Sequence, residues 1–162
     1  MKADKRQWQP REMRLVAEYL EKTYSKYPYQ MRVRLGSIPD QLITEDMSPE
    51  ERRSAGIWRR WADAIVFKPR SVVIIEAKIR PSPGDISQLQ LYAELFGKTP
   101  ELQPYTARPL ALELLYAIPD PVIEHRARQA NIKVTHFKPA WVDDYLAILE
   151  PRKRRAPLSG GG

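Results

Sequence analysis

Trp61-Ala62-Asp63-Ala64-Ile65-Val66-Phe67-Lys68-Pro69-Arg70-Ser71-Val72-Val73-Ile74-Ile75-Glu76-Ala77-Lys78 fixes the frame on which the other elements are placed. It reads as two apolar, β-branched strands joined by a tight turn, because Pro69 pre-sets φ for the first corner. A turn centred between Pro69 and Arg70 pairs Phe67 with Val72, Ile65 with Ile74 and Asp63 with Glu76. Directly opposed residues on one face have Cβ atoms about 4.5–5.5 Å apart. Two carboxylates at that distance repel, and a hard divalent cation such as magnesium, which prefers oxygen ligands, would remove the conflict. Strand alternation brings Lys78 out on the same face as Glu76.

Outward from the hairpin, the rest of the chain supplies helices and further strands. Residues 11–26 carry Met13, Val16, Leu20 and Tyr24 at helical spacing. Tyr29 to Leu35 alternates and predicts a half-buried strand, with Met31, Val33 and Leu35 on one face and Gln30, Arg32 and Arg34 on the other. Gly36 to Arg60 is a long connection holding the capping-box pattern Ser48-Pro49-Glu50-Glu51. Pro81 to Gly84 reads as a loop, and Asp85 caps a helix that runs to Phe96 and stops at Gly97. Leu110–Ile118 predicts a buried strand, Pro121–Gln129 a polar helix, Ile132–Phe137 a strand and Ala140–Leu149 a helix packing through Trp141, Tyr145 and Leu149. The expected architecture is α/β, a mixed sheet with helices packed on it, in one domain over 1–150. Residues 151–162, with Arg152-Lys153-Arg154-Arg155, form a basic tail too polar to fold alone.

Composition narrows the function. The 162 residues carry a formal charge of +7, consistent with a polyanionic partner such as nucleic acid. Cysteine is absent, which excludes disulfides and thiolate zinc sites. No apolar run reaches the roughly 20 residues of a membrane span, and Met1–Arg6 lacks a signal peptide's apolar stretch, so the expected location is the cytoplasm. Gly97-Lys98-Thr99 closes a helix where a phosphate loop would open one, and Tyr92 stands where that loop's first glycine belongs. His125 and His136 are too far apart in sequence for a local zinc motif, and neither a G-x-S-x-G nor a dinucleotide glycine pattern occurs.

The element order together with Asp63, Glu76-x-Lys78 and Gln88-x-x-x-Tyr92 resembles the PD-(D/E)xK nuclease superfamily over roughly residues 10–118. Ala62 replaces the proline of that signature without removing a ligand. The resemblance implies a restriction-endonuclease-like αβββαβ core and Mg²⁺ (Mn²⁺ as substitute) held by Asp63, Glu76 and the Ala77 carbonyl. It also implies that Lys78 acts on the attacking water or the transition state, and that Gln88 and Tyr92 position the substrate backbone. In resolvase-like members the first helix adds a glutamate. Glu12, at the edge of the apolar face, is the best match, whereas Glu18 points away. Leu89, Tyr92, Ala93 and Phe96 also form an apolar stripe, so Tyr92 reads equally as core. The implied activity is endonucleolytic cleavage of DNA by a phage or mobile-element protein that is cytoplasmic or virion-associated; with no recognition helix or finger in the sequence, little sequence preference is expected. The implied partners beyond DNA are a homo-oligomer or a phage or transposition assembly. A non-catalytic nucleic-acid-binding or assembly module on the same fold is the alternative. Arg32, Arg34, Arg59, Arg60, Lys68, Arg70 and Arg80 flank the site in sequence and are candidates for phosphate contacts.

Overall fold

The computed structural model describes residues 9–37, 45–51 and 60–149. Arg59, the basic tail and most of the connection after Gly36 lie outside the described residues. Within that connection, Ser48 and Glu51 make the reciprocal bonds of the expected capping box.

The hairpin anchors the sheet. Strands β2 (Arg60–Lys68) and β3 (Ser71–Lys78) pair antiparallel with Lys68 opposite Ser71, Phe67 opposite Val72 and Ile65 opposite Ile74, the register read from the Pro69 turn. Strand β1 (Tyr29–Leu35) adds antiparallel to β2. β4 (Leu110–Tyr116) and β5 (Ile132–His136) then extend the other side in parallel, giving the order β1-β2-β3-β4-β5. Helix α1 (Gln9–Thr23) precedes the sheet, α2 (Pro83–Phe96) crosses between β3 and β4, α3 (Pro121–Gln129) joins β4 to β5, and α4 (Trp141–Leu149) packs after β5. The run from α1 to β4 has the αβββαβ order, so the chain is a mixed α/β sheet flanked by helices.

Strand alternation sends the two halves of each apolar run to opposite layers. Ile65, Val72, Ile74 and Leu114 pack with Leu89, Tyr92 and Phe96 of α2 and Ile123 of α3. Val66, Val73, Ile75 and Leu115 pack with Leu15, Val16 and Leu20 of α1 and Val142 of α4. Burial on both faces explains why β3 is a continuous apolar run.

Three expectations are corrected. Met31, Val33 and Leu35 do not share a face: Met31 packs on the α1 side, Val33 and Leu35 on the α2 side. Between them Arg32 has φ +53°, a left-handed backbone that interrupts the period-two alternation. Helix α2 starts earlier than expected, with Ser82 as its N-cap and Asp85 in the third helical position, the two closing a capping box across Pro83 and Gly84. Helix α4 buries Val142 and Tyr145, while Leu149 is only half-buried.

One buried charge lies on the α1 side. Glu113 of β4 is fully buried; it accepts a hydrogen bond from the Tyr24 hydroxyl at 2.8 Å and pairs with Lys133 Nζ at 3.4 Å. Burial and Glu113 push the Tyr19 hydroxyl up to about 12. Tyr24→Phe strips a donor from this carboxylate, and leaving a buried acceptor short costs about 1–3 kcal/mol. The expected result is a lower thermal unfolding midpoint; an unchanged midpoint would show that water replaces the hydroxyl.

Candidate active site

The register carries the first residues of β2 alongside the last of β3. Pairing between the two strands runs as far as Ala64 opposite Ile75. Asp63 then departs from strand pairing, and its Oδ2 accepts a hydrogen bond from the Ala77 N–H at 2.8 Å. Its side chain thereby holds the backbone of the Glu76-Ala77-Lys78 segment. Glu76 follows the apolar residues of β3 and is itself 3 % exposed.

Lys78 gathers the remaining acids. Its Nζ lies 3.5 Å from Glu76 Oε1, 3.9 Å from Glu12 Oε2 and 3.9 Å from Asp85 Oδ1. Glu12 arrives from the first turn of α1 and Asp85 from the first turn of α2. A carboxylate in a first helical turn also meets the positive end of the helix dipole. Asp85 is doubly used, since its Oδ2 accepts from the Ser82 N–H at 2.7 Å. The structure therefore brings Glu12, Asp63, Glu76 and Lys78 to one end of the sheet and adds Asp85. The sequence signal for Asp85 is its place as the fourth residue of Ser82-Pro83-Gly84-Asp85, which fits a capping box better than a cap.

Gln88 and Tyr92 sit one turn apart on α2. The Gln88 amide donates to the Tyr92 hydroxyl, which donates to the Trp61 carbonyl at 2.7 Å. Tyr92 is fully buried within the α2-side core, so the core and site readings of this residue coexist. Its hydroxyl proton is committed to strand β2. Gln88 and Tyr92 thus hold the start of that strand in place.

The electrostatics are those of a crowded anionic pocket. Burial, then the charge of Asp63, pushes the Glu76 carboxyl up to about 9. Burial likewise raises Asp63, against the Ala77 N–H and Lys78, which favour its charged form. Glu12 is held at about 7 by burial, with Lys78 opposing and Asp63 adding to the rise. Burial works against the charge of Lys78, but Glu12, Glu76, Asp85 and Asp63 outweigh it and hold its pKa up. Burial and the charges of Glu76 and Asp63 raise Tyr92 as well.

These residues suit a divalent cation in one respect above all. With both carboxyls ionised, Glu76 Oε2 is buried without a hydrogen-bond partner. An oxygen of that kind beside a second carboxylate suits a hard metal ion. Among the described residues no three His, Asp or Glu side chains are arranged to hold a metal. The ligands on offer are therefore Asp63, Glu76 and main-chain oxygen, while Glu12 is placed against Lys78.

Ordinary glutamates titrate near 4.5 and Glu76 near 9, so between those values the folded metal-free chain holds more protons than the unfolded one. Its stability then falls as pH rises through that window. A cation at the same carboxylates competes with those protons and binds more tightly at higher pH. The expected result is a gap between the unfolding midpoints in Mg²⁺ and in EDTA that widens from about pH 6 to about pH 8.5. A gap that is absent or narrows with pH would remove the cation from this site.

A scan of protein-family models finds no match to the chain, and a search of curated proteins finds none either. Among solved structures, the chain is similar to a repair endonuclease from Pyrococcus abyssi, at 11 % identity and a TM-score of 0.46, over 77 % of this chain and 46 % of that one. It is also similar to Can2 from Sulfobacillus thermosulfidooxidans, solved in complex with cyclic tetra-adenylate, at 11 % identity and a TM-score of 0.43, over 83 % of this chain and 34 % of that one. The chain thus spans less than half the length of either solved chain. No described helix is long and apolar enough to cross a membrane.

Proposed function

We propose that this protein is a metal-dependent nuclease that hydrolyses phosphodiester bonds, with DNA as substrate and little sequence preference. The observation that carries the reading is the convergence of Asp63, Glu76 and Lys78 at one end of the sheet, with Glu76 Oε2 buried and unpartnered. Asp63, Glu76 and the Ala77 carbonyl would hold Mg²⁺, or Mn²⁺ in its place. When bound, the ion supplies Lewis acidity, lowering the pKa of water and neutralising charge on the phosphate.

The chain's own residues supply the rest. Lys78 stays cationic because carboxylates surround it; its ammonium offers hydrogen bonds to a phosphoryl oxygen that gains charge, or orients the attacking water. Asp85 and Glu12 restrain that ammonium from two helices. Gln88 and Tyr92 fix the strand that carries Asp63. The surplus of basic residues, +7 over the chain, supports binding to a polyanion.

The test is incubation with supercoiled circular, linear duplex and single-stranded DNA in Mg²⁺, Mn²⁺ or EDTA. Cleavage in metal and none in EDTA is the expected result, and cutting of closed circles identifies an endonuclease. No cleavage under any of these conditions favours the non-catalytic binding or assembly module.

A further inference from the structure

Trp61 is the exposed aromatic side chain closest in sequence to the candidate site. It is 46 % exposed although it lies in β2, two residues before Asp63. A lone exposed apolar residue is ordinary, but the surroundings of this one are not. Arg34, its cross-strand partner, places its guanidinium carbon 4.8 Å from the indole centroid, and Arg32 places its own at 5.5 Å. Both arginines belong to β1, the edge strand, and both are exposed.

The backbone contributes a second, independent observation. Arg32 has φ +53°, a conformation that disfavours any side chain and is free only to glycine. Arginine stands there nonetheless. The same residue interrupts the alternation of β1, so that Val33 and Leu35 turn into the α2-side core while Arg32 and Arg34 meet one indole. From below, the Trp61 carbonyl is held by Tyr92, whose hydroxyl also feels the charges of Glu76 and Asp63. The indole is therefore fixed to the site by its backbone and open to solvent by its ring.

We propose that Trp61, with Arg32 and Arg34, is a stacking platform for an unpaired nucleobase, so that the strand entering the site is single-stranded or locally unpaired. An aromatic face takes any base, and flanking guanidiniums add charge for the phosphates and cation–π contact. A continuous duplex keeps its base faces in the stack and presents only edges and phosphates, which a lone indole reads poorly. As a substrate class the unpaired strand rests on the nuclease reading, but base stacking on the platform needs no catalysis.

The experiment measures binding of the full chain, in EDTA, to a short labelled single-stranded DNA, an RNA of the same sequence and the blunt DNA duplex. The wild-type chain is expected to bind single strands more tightly than duplex, with the tighter of DNA and RNA naming the sugar. Trp61→Ala should weaken single-strand binding by about tenfold or more and erase the preference, and Trp61→Phe should recover most of it. Arg32→Gly should weaken binding several-fold yet unfold at or above the wild-type temperature, because glycine accepts the left-handed φ. Unchanged single-strand binding in Trp61→Ala overturns the proposal, as does an equal loss on duplex, or lost binding in these variants that tracks unfolding by circular dichroism. The two readings fail separately. Single-strand binding through Trp61 without cleavage in Mg²⁺ or Mn²⁺ ends the nuclease and leaves the platform. Cleavage of single strands by Trp61→Ala at the wild-type kcat and KM ends the platform and leaves the nuclease.

Discussion

Asp63→Asn is expected to abolish Mg²⁺-dependent cleavage, by about a thousandfold or more, and at the same time to raise the unfolding midpoint of the metal-free chain. The first effect comes from losing an anionic ligand: transition-state stabilisation of ~4 kcal/mol is worth about a thousandfold in rate. The second comes from the pocket's repulsion. Asp63 is the largest charge contribution to the raised Glu76, and removing it lets Glu76 ionise at lower cost. The asparagine carbonyl still accepts from the Ala77 N–H that Asp63 now holds at 2.8 Å, so the end of the sheet keeps its bond. Relief of ~1–2 kcal/mol moves the midpoint of a domain this size up by about 2–8 °C. Kinetics on a cleaved substrate and a melt in EDTA check both halves. A variant that is inactive and less stable would show that Asp63 serves the fold and does not oppose Glu76.

Lys78→Ala carries the other large effect, and the structure changes what should be expected of it. A solvated lysine at a strand end would be removable without harm to the fold. In the structure its ammonium stands among Glu12, Glu76 and Asp85. Removing one partner of a buried charge cluster leaves the others uncompensated. The lysine side chain keeps 26 % of its exposure, and Glu76 and Glu12 can take up protons. The cost is therefore about 1–3 kcal/mol at about pH 8 and shrinks as pH falls. Cleavage should drop by about a hundredfold to a thousandfold, the range for losing one donor to a developing charge. Lys78→Arg separates the two roles. It restores the charge and most of the stability, but its planar guanidinium does not reproduce a compact ammonium, so cleavage stays low. Full cleavage in Lys78→Arg would reduce the role of Lys78 to charge alone.

Local chemistry makes much of the fold legible. The Pro69 turn sets the hairpin register, and the alternation of apolar runs with helix starts supplies the order of elements. Where sequence and structure part, the cause is a conformation or contact that local pattern does not encode. Asp85 reads as a cap because a cap and a third helical position use similar residue types; the Ser82-x-x-Asp85 spacing favours the third position, and the bond from the Ser82 N–H settles it. Met31 reads as a companion of Val33 because alternation assumes extended backbone throughout, which the left-handed Arg32 breaks. Glu113 gives no signal at all, since its partners Tyr24 and Lys133 come from distant parts of the chain.

The candidate site divides along the same line. From sequence alone, turn position and strand alternation bring Asp63, Glu76 and Lys78 to the same end of two neighbouring strands; pairing itself stops at Ala64 opposite Ile75, and Asp63 leaves the ladder to accept from the Ala77 N–H. Long-range packing alone closes Glu12 and Asp85 on the ammonium from two helices and binds Tyr92 to the Trp61 carbonyl. Those contacts depend on how α1 and α2 pack across opposite faces of the sheet, and that packing is set by side chains far apart in the chain.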